Sequence, residues 1–319
     1  MIMPIMLKGE NILVTGGAGF IGSNLVDRLY PDNKVIVLDN LSSGNIQNLE
    51  NSKNNITFVE GDVRDSSLVQ KLVSQVEYVF HLAANVGNLL SIENPAFDME
   101  VNAGGTLNIL QTCAKSQIKK LVISSSAAIY GDAQYLPVDE KHPINPESPY
   151  AVSKLAAEKY CFCFNKIYNI PVIALRYFNV YGPKQGSSDY ANVIPIFFRK
   201  ALKGQELTIF GDGTQTRDFV NVRDVVTANI LAAQSTLSWG AFNIATGKST
   251  TVNDLAHHTL KISRCNIKPT YSPFRKGEVL HSLANIALAK EKLGYEPAVN
   301  IEQGLTNYYN FLISKVKKE

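Results

Sequence analysis

The chain has 319 residues, 45% of them hydrophobic and 18% charged. That is enough apolar material for one large core or two smaller ones, and it excludes a disordered chain. With 31 basic and 28 acidic residues the formal net charge is only +3, which gives no electrostatic reason for a nucleic-acid or membrane partner. The four cysteines, Cys113, Cys161, Cys163 and Cys265, show neither paired spacing nor a dense framework, so they read as reduced structural thiols with no metal. Met1 to Leu7 is apolar but short, lacks a cleavage signature and leads into a strand. No apolar run approaches the roughly twenty residues of a membrane helix. A soluble, cytoplasmic protein is the expectation.

In chain order, β-branched runs alternate with helical patterns. The predicted strands are Ile12 to Thr15, Val35 to Leu38, Ile56 to Val59, Tyr78 to Leu82, Leu121 to Ser124 and Val172 to Leu175. The predicted helices between them are Ile21 to Leu29, Ser66 to Val73, Phe97 to Cys113 and Pro149 to Ile167. Repeated βαβ units of this kind give an α/β fold with a doubly wound, Rossmann-type parallel sheet, its strands apolar on both faces. Beyond Arg176 the rhythm breaks at Gly182-Pro183, Gly186 and Gly211-Asp212-Gly213. Residues 1–180 therefore read as a dinucleotide-binding domain and 181–319 as a smaller mixed α/β domain, partly interleaved with the first.

The first strand runs into Thr15-Gly16-Gly17-Ala18-Gly19-Phe20-Ile21-Gly22, which satisfies both G-x-G-x-x-G and G-x-x-G-x-x-G and opens the first helix. Glycines there permit a tight turn and close approach of a pyrophosphate, whose charge the helix N-terminus stabilises. Asp39, seventeen residues after Gly22 at the end of the second strand, is placed to accept hydrogen bonds from an adenosine ribose and to repel a 2'-phosphate. With no arginine in Asn40 to Gly44, NAD is favoured over NADP; the bland alternative is a solvated strand-end aspartate. Asp62, beside Val63, is a candidate for the adenine amino group. Leu82, Ala83 and Ala84 end the fourth strand, where small residues let the sheet edge approach a cofactor or simply pack. His81 reads as a core histidine.

Ser124-Ser125-Ser126 closes the fifth strand, and Tyr150 and Lys154 stand four apart at the start of the following helix. That spacing puts both on one helix face, where the ammonium is expected to lower the phenol pKa from its normal value near 10. Ligands of open parallel sheets bind beyond the carboxyl ends of the strands, so Ser126 and Tyr150 should converge there on one substrate oxygen.

With these residues in hand, the sequence resembles the extended short-chain dehydrogenase/reductase family, and within it the UDP-hexose 4-epimerases, over essentially the whole chain. The resemblance is carried by the glycine pattern, Asp39-Asn40-Leu41-Ser42-Ser43-Gly44, Ser-Ser-Ser-Ala-Ala-Ile-Tyr-Gly at 124–131, Tyr150-x-x-x-Lys154 and Arg176-Tyr177-Phe178-Asn179. It implies Ser126, Tyr150 and Lys154 as catalytic residues, with Ser124 and Ser125 near the cofactor or sugar. It also implies Asn102 and Phe178 at the nicotinamide end. For a UDP-sugar it implies Asn179 on the diphosphate, Asn192 and Val193 lining the nucleotide pocket, Thr208, Ile209 and Phe210 against uracil, Arg217 and Arg275 as diphosphate clamps, and Glu278 on the ribose. For each of these the alternative is a surface or loop role.

Family members that dehydrate or decarboxylate carry acidic residues after the catalytic hydroxyl, whereas this chain has Ala127 and Ala128. A 4-keto sugar formed here has little help toward a second reaction, so return of the hydride to the opposite face, an epimerisation at C4, is the expected outcome. By resemblance the residue gating the pocket is Ser282, small enough to admit an N-acetyl group. UDP-N-acetylglucosamine and UDP-N-acetylgalactosamine are then expected as substrates beside UDP-glucose and UDP-galactose. Other reactions of the family, and a non-catalytic dinucleotide-binding protein, are the competing readings. Similar enzymes pair through the helices at 97–113 and 149–167, and a homodimer is expected.

Overall fold

The computed structural model describes residues 7–186, 192–274 and 279–316. The first half runs β1 (Asn11–Thr15), α1 (Phe20–Leu29), β2 (Lys34–Asp39), β3 (Ile56–Glu60), α2 (Ser66–Val73), β4 (Tyr78–His81), α3 (Asn88–Glu93) and α4 (Pro95–Met99). A π-helical turn (Glu100–Gly104) then leads into α5 (Gly105–Cys113), β5 (Lys120–Ser126), α6 (Pro149–Tyr168) and β6 (Val172–Tyr177). The remainder is made of β7 (Asn179–Tyr181), α7 (Val193–Leu202), β8 (Thr208–Phe210), β9 (Thr216–Arg217), β10 (Phe219–Asn221) and α8 (Val222–Gln234). It continues with β11 (Trp239–Ile244), β12 (Thr250–Thr251), α9 (Val252–Ser263), β13 (Thr270–Ser272), α10 (Ala287–Leu293) and α11 (Ile301–Val316).

Seven parallel strands form the central sheet in the order β11-β6-β5-β4-β1-β2-β3. The order reverses between β1 and β4, which opens a crevice at their carboxyl ends. Its outermost strand, β11, comes from residues 239–244, so the sheet draws on chain well beyond residue 180. Alternate residues of each inner strand enter opposite layers: Ile12 and Val14 join one apolar cluster and Leu13 the other. The same holds for Val122 against Leu121 and Ile123, and for Ile173 and Leu175 against Val172 and Ala174. Each Val, Leu or Ile among them, fully buried, contributes about 1.5–3 kcal/mol of transfer free energy. A third cluster, with Phe197, Phe198, Leu255, Leu305 and Tyr308, builds the second half.

Two predicted elements differ. Ile56–Glu60 is the edge of the sheet rather than a strand buried on both faces, and none of its residues is fully buried. The predicted helix over 97–113 is broken: α4 and α5 are joined by the π-helical turn holding Asn102. A π-bulge widens the helix by one residue per turn and turns that side chain inward. Among the described residues no helix is long and apolar enough to cross a membrane.

Candidate active site

The crevice begins at the glycine turn. Gly16 has φ +70°, and a Cβ there would lie 2.6 Å from the Ala83 amide nitrogen; one on Gly22 would lie 2.1 Å from the Gly16 carbonyl oxygen. Gly17 is pressed likewise against Val37. The tight turn and the close packing of the chain upon itself already demand glycine at these three positions. Gly19 is the more open position, and as N-cap of α1 it brings no capping side chain, with no acid in the first turn. The first amides of a helix, those of Phe20 and Ile21 among them, have no intrahelical acceptor, so an anionic group fits this end.

Asp39 is buried at the end of β2. Its carboxylate accepts from the amides of Ala18 at 2.9 Å and Leu41 at 2.8 Å, so it first of all fixes the glycine turn. Asn40 donates to Asp62 at 2.9 Å, and the Ser42 amide donates to the Asn40 side chain at 3.1 Å. Ser43 lies exposed and Gly44 half-buried against the Asp39 carboxylate. Asp62 is also gripped by Arg64, whose hydrogen bonds hold its carboxyl down at about 2. Val63 is buried against Gly105, while Leu82, Ala83 and Ala84 are half-buried along the crevice. His81 is a core residue: its ring bonds Thr15 at 2.7 Å and Thr106 at 3.0 Å, and burial keeps it neutral, pushed down to about 3.

The catalytic candidates come together at the carboxyl end of β5. Ser148 caps α6 by accepting from the Ala151 amide at 3.2 Å, and Pro149 takes the first helical position, so the helix starts with Tyr150 in its first turn. The Tyr150 phenol lies beside the Ser126 hydroxyl, which works to lower it, and that hydroxyl also accepts from the Ala128 amide at 3.1 Å. The buried Lys154 donates to Ser124 Oγ at 3.2 Å. Burial pushes the Tyr150 phenol up to about 12 and the Lys154 ammonium down to about 8. The expected lowering of the phenol by Lys154 is not among the effects that shift it: burial raises it, and the group that lowers it is the Ser126 hydroxyl.

Ser125 does not join this group. It is buried between Ser124 and Ser126 and gives its hydroxyl to Glu158 at 2.6 Å. Glu158 is held in turn by Arg176 at 2.6 and 3.0 Å, and Arg176 donates to Tyr130 at 2.8 Å. Strand alternation turns the middle serine away from its neighbours. Asn102 is likewise buried, its amide committed to Asp98, Ser153 and the Asn85 backbone. Phe178 is a core side chain.

A cavity of about 460 Å³ opens in the second half, lined by Asn179, Asn192, Val193 and Arg217. Thr208, Ile209 and Phe210 form another of its walls. Arg199, Lys200 and Gln215 also line it and escaped the sequence reading; Lys200 donates to Thr208 at 2.9 Å. A signal existed, because Val193, Ile196, Phe197 and Lys200 follow the i, i+3, i+4, i+7 rule of one helix face. Ser282, half-buried, bonds Thr216 through its amide at 3.1 Å, on a segment pinned further along where the Val138 amide donates to the Leu283 carbonyl. Arg275 and Glu278 lie outside the described residues.

Comparison with known proteins agrees with this arrangement. A family model described as the NAD dependent epimerase/dehydratase family matches residues 12–245. A putative UDP-glucose 4-epimerase of Methanocaldococcus jannaschii is 45% identical over 94% of this chain and 98% of its own length. Among solved structures, a UDP-N-acetylglucosamine 4-epimerase from Methanobrevibacter ruminantium, in complex with UDP-N-acetylmuramic acid, superposes with a TM-score of 0.94 at 39% identity, covering 97% of this chain and all of that one (100%). The UDP-glucose 4-epimerase of Thermotoga maritima with UDP-glucose gives 0.91 at 42% identity, over 96% and 99%. A parallel sheet in this order, a glycine turn at its switch point and the Ser126–Tyr150 pair on its carboxyl edge carry the same assignment: the chain belongs to the NAD dependent epimerase/dehydratase family, within the short-chain dehydrogenase/reductases.

Proposed function

We propose that the chain inverts C4 of a UDP-hexose through a transient 4-keto sugar, with NAD bound along the Gly16 to Gly22 turn, Asp39 and the Leu82 to Ala84 edge. The carrying observation is the Ser126 hydroxyl beside the Tyr150 phenol and the buried Lys154, with alanine at positions 127 and 128. NAD, when bound, supplies the hydride acceptor and, oxidised, the positive charge that a buried phenol needs to give up its proton near neutrality. Tyr150 would then take the proton of the sugar 4-hydroxyl while Ser126 bonds the same oxygen, and Lys154 would be among the residues that hold the cofactor beside them. No side chain at 127 or 128 can assist elimination or loss of carbon dioxide, so the keto sugar waits for the hydride to return.

The nucleotide occupies the 460 Å³ cavity, where Arg217, Arg199 and Lys200 supply charge for a diphosphate. Arg275 and Glu278 belong to the same proposal as clamp and ribose ligand. Ser282 bounds the sugar end, and the small side chain admits 2-acetamido sugars, in keeping with the likeness to a UDP-N-acetylglucosamine 4-epimerase. Asp39 favours NAD over NADP. A homodimer fits the exposed apolar side chains of Met99, Val152, Tyr160 and Ile167, each at least 40% exposed; a monomer by light scattering would remove that part.

Incubating the protein with UDP-sugars and no added NAD, followed by product identification, tests the reaction. Tyr150→Phe is expected to lower interconversion by at least about a hundredfold, the scale of general acid–base catalysis. Equal activity of the two proteins would end the tyrosine mechanism.

A further inference from the structure

Between Tyr150 and Lys154, Ser153 points into the protein. Its hydroxyl lies 2.5 Å from Asp98 Oδ2 and 3.0 Å from the Tyr150 carbonyl, and both Ser153 and Asp98 are fully buried. Asp98 Oδ1 accepts from Asn102 Nδ2 and from Asn85 Nδ2, each at 3.1 Å. Asn102 Nδ2 also donates to Ser153 Oγ at 2.9 Å, and its carbonyl accepts from the Asn85 amide at 2.8 Å. The donors around this carboxylate are a hydroxyl and two amides, and among the described residues it forms no ion pair.

An ionised carboxylate out of contact with water requires a compensating charge. The titratable groups whose charge acts on Lys154 or is acted on by it are Asp98 on α4, which bonds the adjacent Ser153; Glu158 and Cys161 on its own helix; and His81 on β4. Glu158 is already matched by the two hydrogen bonds from Arg176. Burial keeps His81 neutral and raises the Cys161 thiol so that it stays protonated. That leaves Asp98 as the carboxyl group beside the Lys154 turn that no cation matches among the described residues.

We propose that Asp98 is a positioning residue of the Tyr150–Lys154 dyad, the buried counter-charge of the lysine ammonium and, through Ser153 and Asn102, the anchor of the helical turn carrying both side chains. This rests on the reading of Tyr150 and Lys154 as the proton-handling pair. The carboxylate has two effects of opposite use. It opposes the burial that pushes Lys154 down to about 8, and it adds to the burial that pushes Tyr150 up to about 12. Removing its charge therefore moves both titrations downward.

Asp98→Asn keeps the volume and loses the charge. In protein with 13C-labelled lysine side chains, and with the Lys154 signal identified by its loss in Lys154→Met, the Lys154 midpoint is expected to fall by about 1 pH unit or more in Asp98→Asn. Ser153→Ala, which removes the hydroxyl bridge and keeps the charge, should leave that midpoint where it is. In turnover, both limbs of the kcat/KM pH profile should move to lower pH in Asp98→Asn. If Asp98→Asn does not fold, Asp98→Ser, smaller and neutral, carries the same expectation. An unmoved Lys154 midpoint, with activity reduced equally at every pH, overturns the proposal while leaving the dyad in place. Undiminished activity in Tyr150→Phe would instead remove the reading beneath it.

Discussion

The triad of Glu158, Arg176 and Ser125 lies directly behind the catalytic strand end, and its energetics can be worked out from the contacts. Glu158 is 2% exposed and Arg176 5%, joined by bonds of 2.6 and 3.0 Å, with Ser125 donating to the same carboxylate at 2.6 Å. In Glu158→Ala the guanidinium keeps, among the described residues, the Tyr130 hydroxyl at 2.8 Å and the Glu140 carbonyl at 3.3 Å as acceptors. Removing one partner of a buried pair costs about 3–5 kcal/mol, because the other charge stays in place without compensation. At roughly 2–4 °C per kcal/mol for a domain of a couple of hundred residues, Tm should fall by about 6–20 °C. Denaturant unfolding of Glu158→Ala against the parent reads the free energy directly. The double variant Glu158→Leu, Arg176→Met should recover most of the loss, since an apolar pair of similar volume removes the stranded charge. A single variant within about 1 kcal/mol of the parent, or a double variant no better than the single, would refute this account. Because Ser125 sits between Ser124 and Ser126, turnover should fall in Glu158→Ala even well below its unfolding temperature.

Other outcomes follow from the same contacts. His81 is pushed down to about 3 by burial. Its unfolded value is near 6.5, so the stability it confers is complete above pH 6.5 and is lost as pH falls toward 3, by up to about 1.4 kcal/mol per unit. Unfolding free energies at pH 6.5 and 5.5 should therefore differ more in the parent than in His81→Gln, and parallel changes would contradict a neutral buried ring. Ser282→Tyr should abolish turnover of UDP-N-acetylglucosamine while sparing UDP-glucose; equal loss or equal retention of both would show that this residue does not bound the sugar pocket.

Much of the sheet and the catalytic spacing was legible because both are local. A continuous apolar run reports a strand covered on two faces, and a four-residue interval reports a shared helix face whatever surrounds it. The edge position of β3 was not legible, since the run Ile56 to Val59 looks as apolar as its neighbours and only strand order exposes it. The break in the helix at 97–113 left a trace in Gly104-Gly105, a pair poorly suited to a helix interior. Ser124, Ser125 and Ser126 are chemically identical on paper; which one belongs to Glu158 depends on a residue 33 positions away.

Proton affinity is the property that sequence spacing conveys least. From spacing alone the Tyr150–Lys154 interval suggested a phenol lowered by its ammonium neighbour, yet desolvation raises the phenol and lowers the ammonium. Both directions express one cause, the cost of charge in a dry crevice, and the remaining carboxylate there comes from α4, 55 residues from its Ser153 partner. A phenol held this way resists ionising while alone. On the proposed reading, a positive charge arriving beside the phenol brings its titration toward neutrality, which makes occupancy of the crevice a condition for the tyrosine to act as a base.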